Sequence, residues 1–263
     1  MTTIGLLNPG EMGSMVGAAV RSGGARVLWA GEGRSAATRK RASDAGLEDA
    51  GSVAAVVKAS DVILSVCPPH AAVDVATQVA ALRFGGTFVD GNAVSPATAR
   101  EIGGIVEKSG ATFVDGGIIG LPPVAPGSTR LYLSGPDAPA VQALFAGTDV
   151  DARIAGPGLT AASAVKMAYA AWTKGTAALI LAIRELAREE GVEDTLLAEW
   201  ALSQPSLGKR SRGSAKAAGA KGWRWVAEME EIAATMAAAG LPDGFHQAAA
   251  EIFRRYPRSS ADG

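Results

Sequence analysis

With 263 residues, 48% of them hydrophobic, and a formal net charge of -1, the chain can bury one large core or two smaller ones, and it lacks the long-range field that nucleic acid or an anionic membrane would select. Its single cysteine, Cys67, excludes an internal disulfide and a cysteine-based zinc site, and no metal is expected. The opening MTTIGLLNPG has neither the basic region nor the apolar length of a secretory leader, and Lys166 and Lys174 interrupt the most apolar stretch short of a membrane span, so a cytoplasmic location is expected.

In chain order, Thr2 to Leu7 is a short apolar run that stops at Asn8-Pro9-Gly10, and Glu11 to Arg21 has helical character. Strand, glycine turn, helix is the opening of a dinucleotide-binding unit. The spacing Gly5-x4-Gly10-x2-Gly13 is three residues longer than GxGxxG, yet it keeps a glycine where backbone must approach a pyrophosphate and another for tight helix packing. Asn8, Pro9, Gly10, Glu11 and Met12 are therefore expected at the cofactor. Further on, Arg26 to Ala30 reads as a strand, Ser35 to Ala45 as a helix, Asp61 to Val66 as a strand, Ala71 to Leu82 as a helix and Gly86 to Asp90 as a strand. That alternation predicts an α/β fold, a Rossmann-type doubly wound parallel sheet with right-handed crossovers.

Cofactor choice is written where the second strand ends, in WAGEGRSAATRKR. Glu32 would suit a free ribose 2′-hydroxyl. Gly33-Arg34-Ser35, followed by Thr38, Arg39 and Lys40, offers instead a guanidinium, hydroxyls and a helix N-terminus to a 2′-phosphate, so NADP (NADPH) is favoured over NAD. The loops Cys67-Pro68-Pro69 and Asn92-Ala93 follow two other strands at the edge where open parallel sheets bind ligands, and they are expected to flank the nicotinamide ribose. Cys67 has no neighbour at a spacing that would activate it as a nucleophile. Asn92 has an amide for the cofactor, with a turn-forming asparagine as the alternative.

Ala111 to Ile119 begins another strand, and the proline-rich loop after it, with Asp115 and Gly120, is expected to wall a substrate cleft. Strands at Leu131 to Ser134 and Ala152 to Ala155 flank a helix at Asp137 to Phe145. Leu159 to Glu190 then has no proline, ends at Gly191, and makes a helix of roughly 48 Å. Lys166, Tyr169, Ala170 and Thr173 share one of its faces by spacing, giving a cation, a phenol and a hydroxyl along a ridge. Beyond it come helices at Thr195 to Ser203, Trp223 to Ala239 and Asp243 to Arg255, with Gln204 to Gly222 mixed; Trp172, Trp200, Trp223 and Trp225 serve either a dimer interface or the chain's own core. The expected division is a dinucleotide-binding domain at 1–157, an all-helical substrate and dimerisation domain at 158–258, joined by the long helix, and a disordered tail at 259–263.

Gly5, Gly10, Met12 and Gly13, the GRS after the second strand, the CPP and NAVSP loops, FVDGG, and a lysine early in a long inter-domain helix together resemble the β-hydroxyacid dehydrogenase superfamily. That superfamily includes 3-hydroxyisobutyrate and 6-phosphogluconate dehydrogenases and the related imine reductases; the carboxyl-terminal part is most similar to a 6-phosphogluconate dehydrogenase-like sub-branch. The resemblance implies hydride transfer to a small carbonyl compound with Lys166 as general acid and base, and a homodimer whose helices complete each other's clefts. It places Ile118, Ile119, Gly120, Ala170, Thr173 and His246 near the substrate and makes Tyr169 a candidate helper. The chain departs from the pattern in two places. Tyr169 and Ala170 stand where the family carries an asparagine after the lysine, and Ile119-Gly120-Leu121 replaces a carboxylate-holding Ser-Gly-Gly, which favours a less acidic substrate. DGGIIGLPP is similar to imine reductases instead, so reduction of C=N is one alternative reading and a non-catalytic NADP-binding regulator another.

Overall fold

The computed structural model describes residues 1–257, which form two compact units dividing within one helix, the first ending at Lys166 and the second starting at Met167. The expected tail at 259–263, and residue 258 before it, lie outside the described residues.

The first unit is built on an eight-stranded sheet in the order β3-β2-β1-β4-β5-β6-β7-β8. Its strands are β1 (Thr3–Leu7), β2 (Arg26–Trp29), β3 (Glu48–Asp49), β4 (Val62–Ser65), β5 (Thr87–Asp90), β6 (Thr112–Gly120), β7 (Thr129–Ser134) and β8 (Val150–Ile154). The helices between them are α1 (Glu11–Ser22), α2 (Ala36–Asp44), α3 (Val53–Ala59), α4 (Ala72–Ala81), α5 (Pro96–Lys108) and α6 (Ala138–Ala143). Because successive strand side chains point to opposite faces, each strand feeds two cores. Ile4 and Leu6 of β1, Val62 and Leu64 of β4 and Val89 of β5 pack with Val16 and Val20 of α1 and Val141 of α6. Leu7, Ile63 and Phe88 face the other way, onto Val56 of α3, Val79 of α4 and Ile102 of α5.

The helix starts follow from local chemistry. Ser35, Ser52 and Ser95 precede α2, α3 and α5, and their hydroxyls accept the N–H groups of Thr38, Ala55 and Thr98, which no intrahelical carbonyl can reach. Two features depart from the expected alternation. A short strand and two helices, β3, α3 and α5, stand where no elements were expected, and β7 runs antiparallel to β6, so the sheet is only mostly parallel. The β6–β7 connection is a short loop, and a short loop returns the chain in the opposite direction, whereas a parallel neighbour needs a long crossover.

The long helix α7 (Ala161–Glu189) passes from the first unit into the second and stops at Gly191, whose φ of 71° only glycine adopts without strain. The second unit adds α8 (Glu193–Ser203), α9 (Leu207–Ala238) and α10 (Gly244–Arg254). The stretch expected to be mixed, 204–222, lies largely in α9, which is broken at Lys221 where φ is -151°. Trp225 meets Phe253 edge-on at 5.0 Å, and Trp200 is buried, so these two tryptophans serve the unit's own packing. Among the described residues no helix is long and apolar enough to cross a membrane.

Candidate active site

In this strand order the chain moves outward from β1 through β2 to β3, then returns to β4 on the other side of β1. The carboxyl ends of β1 and β4 therefore border the crevice where the winding reverses, the place open α/β sheets offer to ligands. Asn8 takes the left-handed conformation there, with φ 66°, at a turn where glycine is the usual solution. The Gly10 N–H closes the turn on the Asn8 carbonyl at 2.7 Å. No side chain caps α1, so its first-turn N–H groups face the crevice with the positive end of the helix dipole, and a Cβ placed on Gly10 would meet nothing within 4 Å. A Cβ on Gly13 would lie 2.8 Å from the Asn8 carbonyl oxygen. Gly5 is part of β1 rather than of the turn; a Cβ there would strike Ile63, Val56 and Ser60. The three extra residues in the glycine spacing thus arise because Asn8 does the turning and Gly5, three residues earlier, only packs.

At the end of β2 the loop Gly31 to Ser35 is held by Asp49 of β3, whose Oδ1 accepts the N–H of Gly31 at 2.9 Å and of Gly51 at 2.8 Å. Glu32, Gly33 and Arg34 line a cleft of about 590 Å³ whose other walls are the start of α3 (Val53, Ala54) and the end of α4 (Gln78, Leu82). Ser35 caps α2, and the Arg39 guanidinium bonds back to the Arg34 carbonyl at 3.3 Å. Asp49, which sequence reasoning did not select, therefore determines the path of the loop. Its only trace in the sequence is an acidic pair closing a segment too short to read as a strand.

Between the ends of β4 and β5, Asn92 acts as a staple. Its Oδ1 accepts the Cys67 N–H at 2.6 Å, and its Nδ2 donates to Ser65 Oγ at 3.1 Å and to Asp90. Both ends of the amide are thereby engaged with protein, and the CPP loop is fixed to β5. Burial pushes the Cys67 thiol up to about 11, opposed by its hydrogen bond from Ser65. At about pH 8 its thiolate fraction falls roughly 100-fold below that of an ordinary cysteine, so iodoacetamide should alkylate Cys67 about 100 times more slowly than it alkylates glutathione, accelerating about tenfold per pH unit. An alkylation rate equal to glutathione's would contradict this.

The partly buried Lys166 donates from Nζ to the Ile118 carbonyl at 2.8 Å. The approach of α7 to β6 depends on Gly117, where a Cβ would lie 2.8 Å from the Ala162 carbonyl and 3.0 Å from Lys166 Cβ. Ile118 and Ile119 are both buried, so Ile118 meets the ammonium through its backbone. Gly120 has φ 120° and sits against the Ser128 carbonyl. Asp115 does not wall a cleft: it is fully buried, with its carboxylate turned onto the first turn of α7. Burial pushes that carboxyl above its usual range, and hydrogen bonds from Ser163 and Ser134 pull the other way.

In the second unit, Tyr169 is 46% exposed and Ala170 is buried, so these neighbours turn to different surroundings. The Thr173 hydroxyl donates to the Tyr169 carbonyl of its own helix at 3.1 Å. His246 is buried against α7, with Nε2 3.4 Å from the Ala171 carbonyl and Nδ1 lacking a hydrogen-bond partner among the described residues. Lys174 pairs with Glu228 and lies 5.7 Å from the centre of the Trp225 ring.

Residues 3–144 match a family model described as the NAD binding domain of 6-phosphogluconate dehydrogenase, and residues 187–256 match a domain of unknown function, DUF1932. A protein of Methanothermus fervidus, an uncharacterised 28.5 kDa protein of the 7S RNA 5′ region, is 31% identical over 166 residues, which span 63% of this chain and 63% of that protein. A conserved protein of unknown function, whose structure was described as similar to 3-hydroxyacid dehydrogenases, is 27% identical, with 97% of this chain and 96% of that one covered at a TM-score of 0.70. The 3-hydroxyisobutyrate dehydrogenase of Mycobacterium tuberculosis, solved with L-serine, shares the fold at 20% identity and a TM-score of 0.69, covering 97% of this chain and 94% of its own.

Proposed function

Because the chain belongs to the family of the 6-phosphogluconate dehydrogenase NAD-binding domain, within the β-hydroxyacid dehydrogenase superfamily, we propose that it is a nicotinamide-dependent oxidoreductase that reduces a small carbonyl compound with NADPH. The observation that carries the proposal is Lys166, a partly buried ammonium held by the Ile118 carbonyl at 2.8 Å. A carbonyl that receives hydride becomes an alkoxide; an adjacent ammonium stabilises that charge and donates the proton that completes the alcohol. The dinucleotide, when bound, supplies the hydride. On the protein side, the uncapped N-terminus of α1 and the open space over Gly10 suit the pyrophosphate, and the cleft at Glu32, Gly33 and Arg34 suits the adenosine half. Pro68, Pro69 and Ala93 border the loops that Asn92 staples, and they are proposed to flank the nicotinamide ribose.

Selection of NADPH is assigned to Gly33, Arg34 and Ser35. Arg34→Ala removes a charge-assisted contact to the 2′-phosphate, so Kd for NADPH should rise about tenfold or more while Kd for NADH stays within about twofold, as read by nicotinamide fluorescence. Equal losses for both cofactors would remove Arg34 from the selection.

The apolar Ile119-Gly120-Leu121 run supports a neutral rather than a carboxylate-bearing substrate. The second reading, reduction of C=N, is supported by the similarity of DGGIIGLPP to imine reductases, and an iminium, already carrying positive charge, needs less acid assistance. The test is NADPH oxidation with a panel of 2- and 3-oxo acids, simple ketones and cyclic imines. Turnover of neutral ketones supports the proposal; turnover of the imines alone replaces it with the second reading; tight NADPH binding without any turnover points to a regulator. Tyr169, Ala170, Thr173 and His246 remain the proposed substrate-side residues of the helical unit.

A homodimer and a cytoplasmic location belong to the same proposal. Trp172, Leu179 and Leu186 succeed one another at seven-residue spacing along α7 and are 65%, 58% and 61% exposed, an apolar row that a second copy of the chain would cover. The lone free thiol of Cys67 suits a reducing compartment.

A further inference from the structure

Four neighbouring strands carry polar side chains that lie side by side in register. Ser65 of β4 is in register with Asp90 of β5, Asp90 with Asp115 of β6, and Asp115 with Ser134 of β7, and all four are fully buried. The first two are bound by the Asn92 staple. Asp115 and Ser134 instead receive the start of α7. Asp115 Oδ2 accepts the Ser163 N–H at 2.8 Å and the Ser134 hydroxyl at 2.9 Å, while Oδ1 accepts the Ser163 hydroxyl at 2.5 Å. Ser134 Oγ accepts the Ala162 N–H at 3.0 Å.

Ala162 and Ser163 are the second and third residues of α7, whose N–H groups have no acceptor within the helix. The sheet therefore caps the helix from outside, and a carboxylate placed there also meets the positive end of the helix dipole. Three donors converge on Asp115, so the site requires a group that only accepts; an asparagine would turn its own N–H groups toward donors. Keeping a buried carboxylate at this point is costly, a cost that a residue serving packing alone would not incur.

From Ser163 it is less than one turn to Lys166, and from Asp115 it is three residues along β6 to Ile118. The same stretch of helix is thus tied to the same strand twice, at Asp115 through Ser163 and at Ile118 through the ammonium itself. We infer that Asp115, with Ser134 and Ser163, is the positioning device for Lys166, setting the height and rotation of the helix so that the ammonium is presented at the carboxyl edge of β6. This rests on the reading of Lys166 as proton donor.

The test begins with a readout that needs no substrate. The intact protein is pulsed with N-hydroxysuccinimidyl acetate, and acetylation of Lys166 is followed by peptide mass spectrometry with the exposed Lys58 as internal reference. In Asp115→Asn the Lys166 rate should rise about fivefold or more relative to Lys58, with Kd for NADPH within about twofold of the parent. With the best substrate of the panel, kcat should fall roughly 10- to 50-fold with KM little changed, and adding Asp115→Asn to Lys166→Ala should cost nothing further, because the device has lost the group it serves. Unchanged labelling, losses that add in the double variant, or NADPH affinity falling in step with kcat would overturn the inference. Should Asp115→Asn fail to fold, Ser163→Ala removes one hydroxyl and should shift labelling the same way by a smaller factor; no shift there would also overturn it. If Lys166→Ala keeps full turnover while, in the protein that retains Lys166, acetylation of that lysine still responds to Asp115→Asn, the positioning stands and the proton-donor reading fails.

Discussion

Lys166→Ala should lower kcat by roughly 10² or more while Kd for NADPH stays within about twofold. General-acid assistance at a developing alkoxide contributes on that scale, and stabilisation of the charge by a fixed cation adds to it. The cofactor crevice at β1 and β4 is formed by other residues: no side chain of α7 takes part in the turn at Asn8, the cap of α2 or the Asn92 staple. Binding and turnover should therefore separate. Lys166→Arg offers the sharper control, since a guanidinium keeps the charge but does not release its proton near neutral pH. It should remain as slow as the alanine variant if proton donation matters, and recover part of the rate if the charge alone does. A Lys166→Ala enzyme with undiminished turnover of ketones would leave the carbonyl mechanism without its acid.

Gly13→Val should abolish measurable dinucleotide binding, raising Kd by roughly 10² or more. Even a single Cβ at this position would lie 2.8 Å from the Asn8 carbonyl oxygen, a backbone atom already held by the Gly10 N–H. Relief requires α1 to move away from the turn, which carries the first-turn N–H groups out of place together and exposes packing around Val16 and Val20. Gly10→Ala provides the contrast. Its Cβ meets nothing within 4 Å, so the folded protein should tolerate it with a melting temperature near the parent's, yet a methyl group there occupies the space proposed for the pyrophosphate. Loss of binding in both variants, with loss of stability only at Gly13, is the expected pattern. Should Gly10→Ala bind NADPH as tightly as the parent, the phosphates do not lie over this turn.

Much of the fold was readable because strand and helix periods differ and serine caps are local signals. Runs such as TIGLL, VILS and TFVD announce strands, and Ser35 announces the helix behind it, whereas the helix behind Ser95 was not expected, since Pro96, Gly103 and Gly104 are weak helix formers. The short elements β3 and α3 escaped because two residues carry no periodicity and VAAVVKA suits either period. The reversal of β7 escaped because strand direction is set by the connection and by pairing partners, neither of which a strand's own residues encode.

The sequence by itself determined that a glycine turn opens onto a helix at the first strand, that Arg34 and Ser35 follow the second, and that a lone lysine lies early in a long helix, since each is a matter of residue type at short spacing. Only the tertiary structure decided what surrounds them: that Asn8 rather than Gly5 makes the turn, that the Asn92 amide is engaged between two loops, and that Asp115 faces the start of α7 instead of a cleft. The physical reason is that a buried polar side chain must find its partners, and those partners come from strands and helices tens of residues away, where local spacing carries no information.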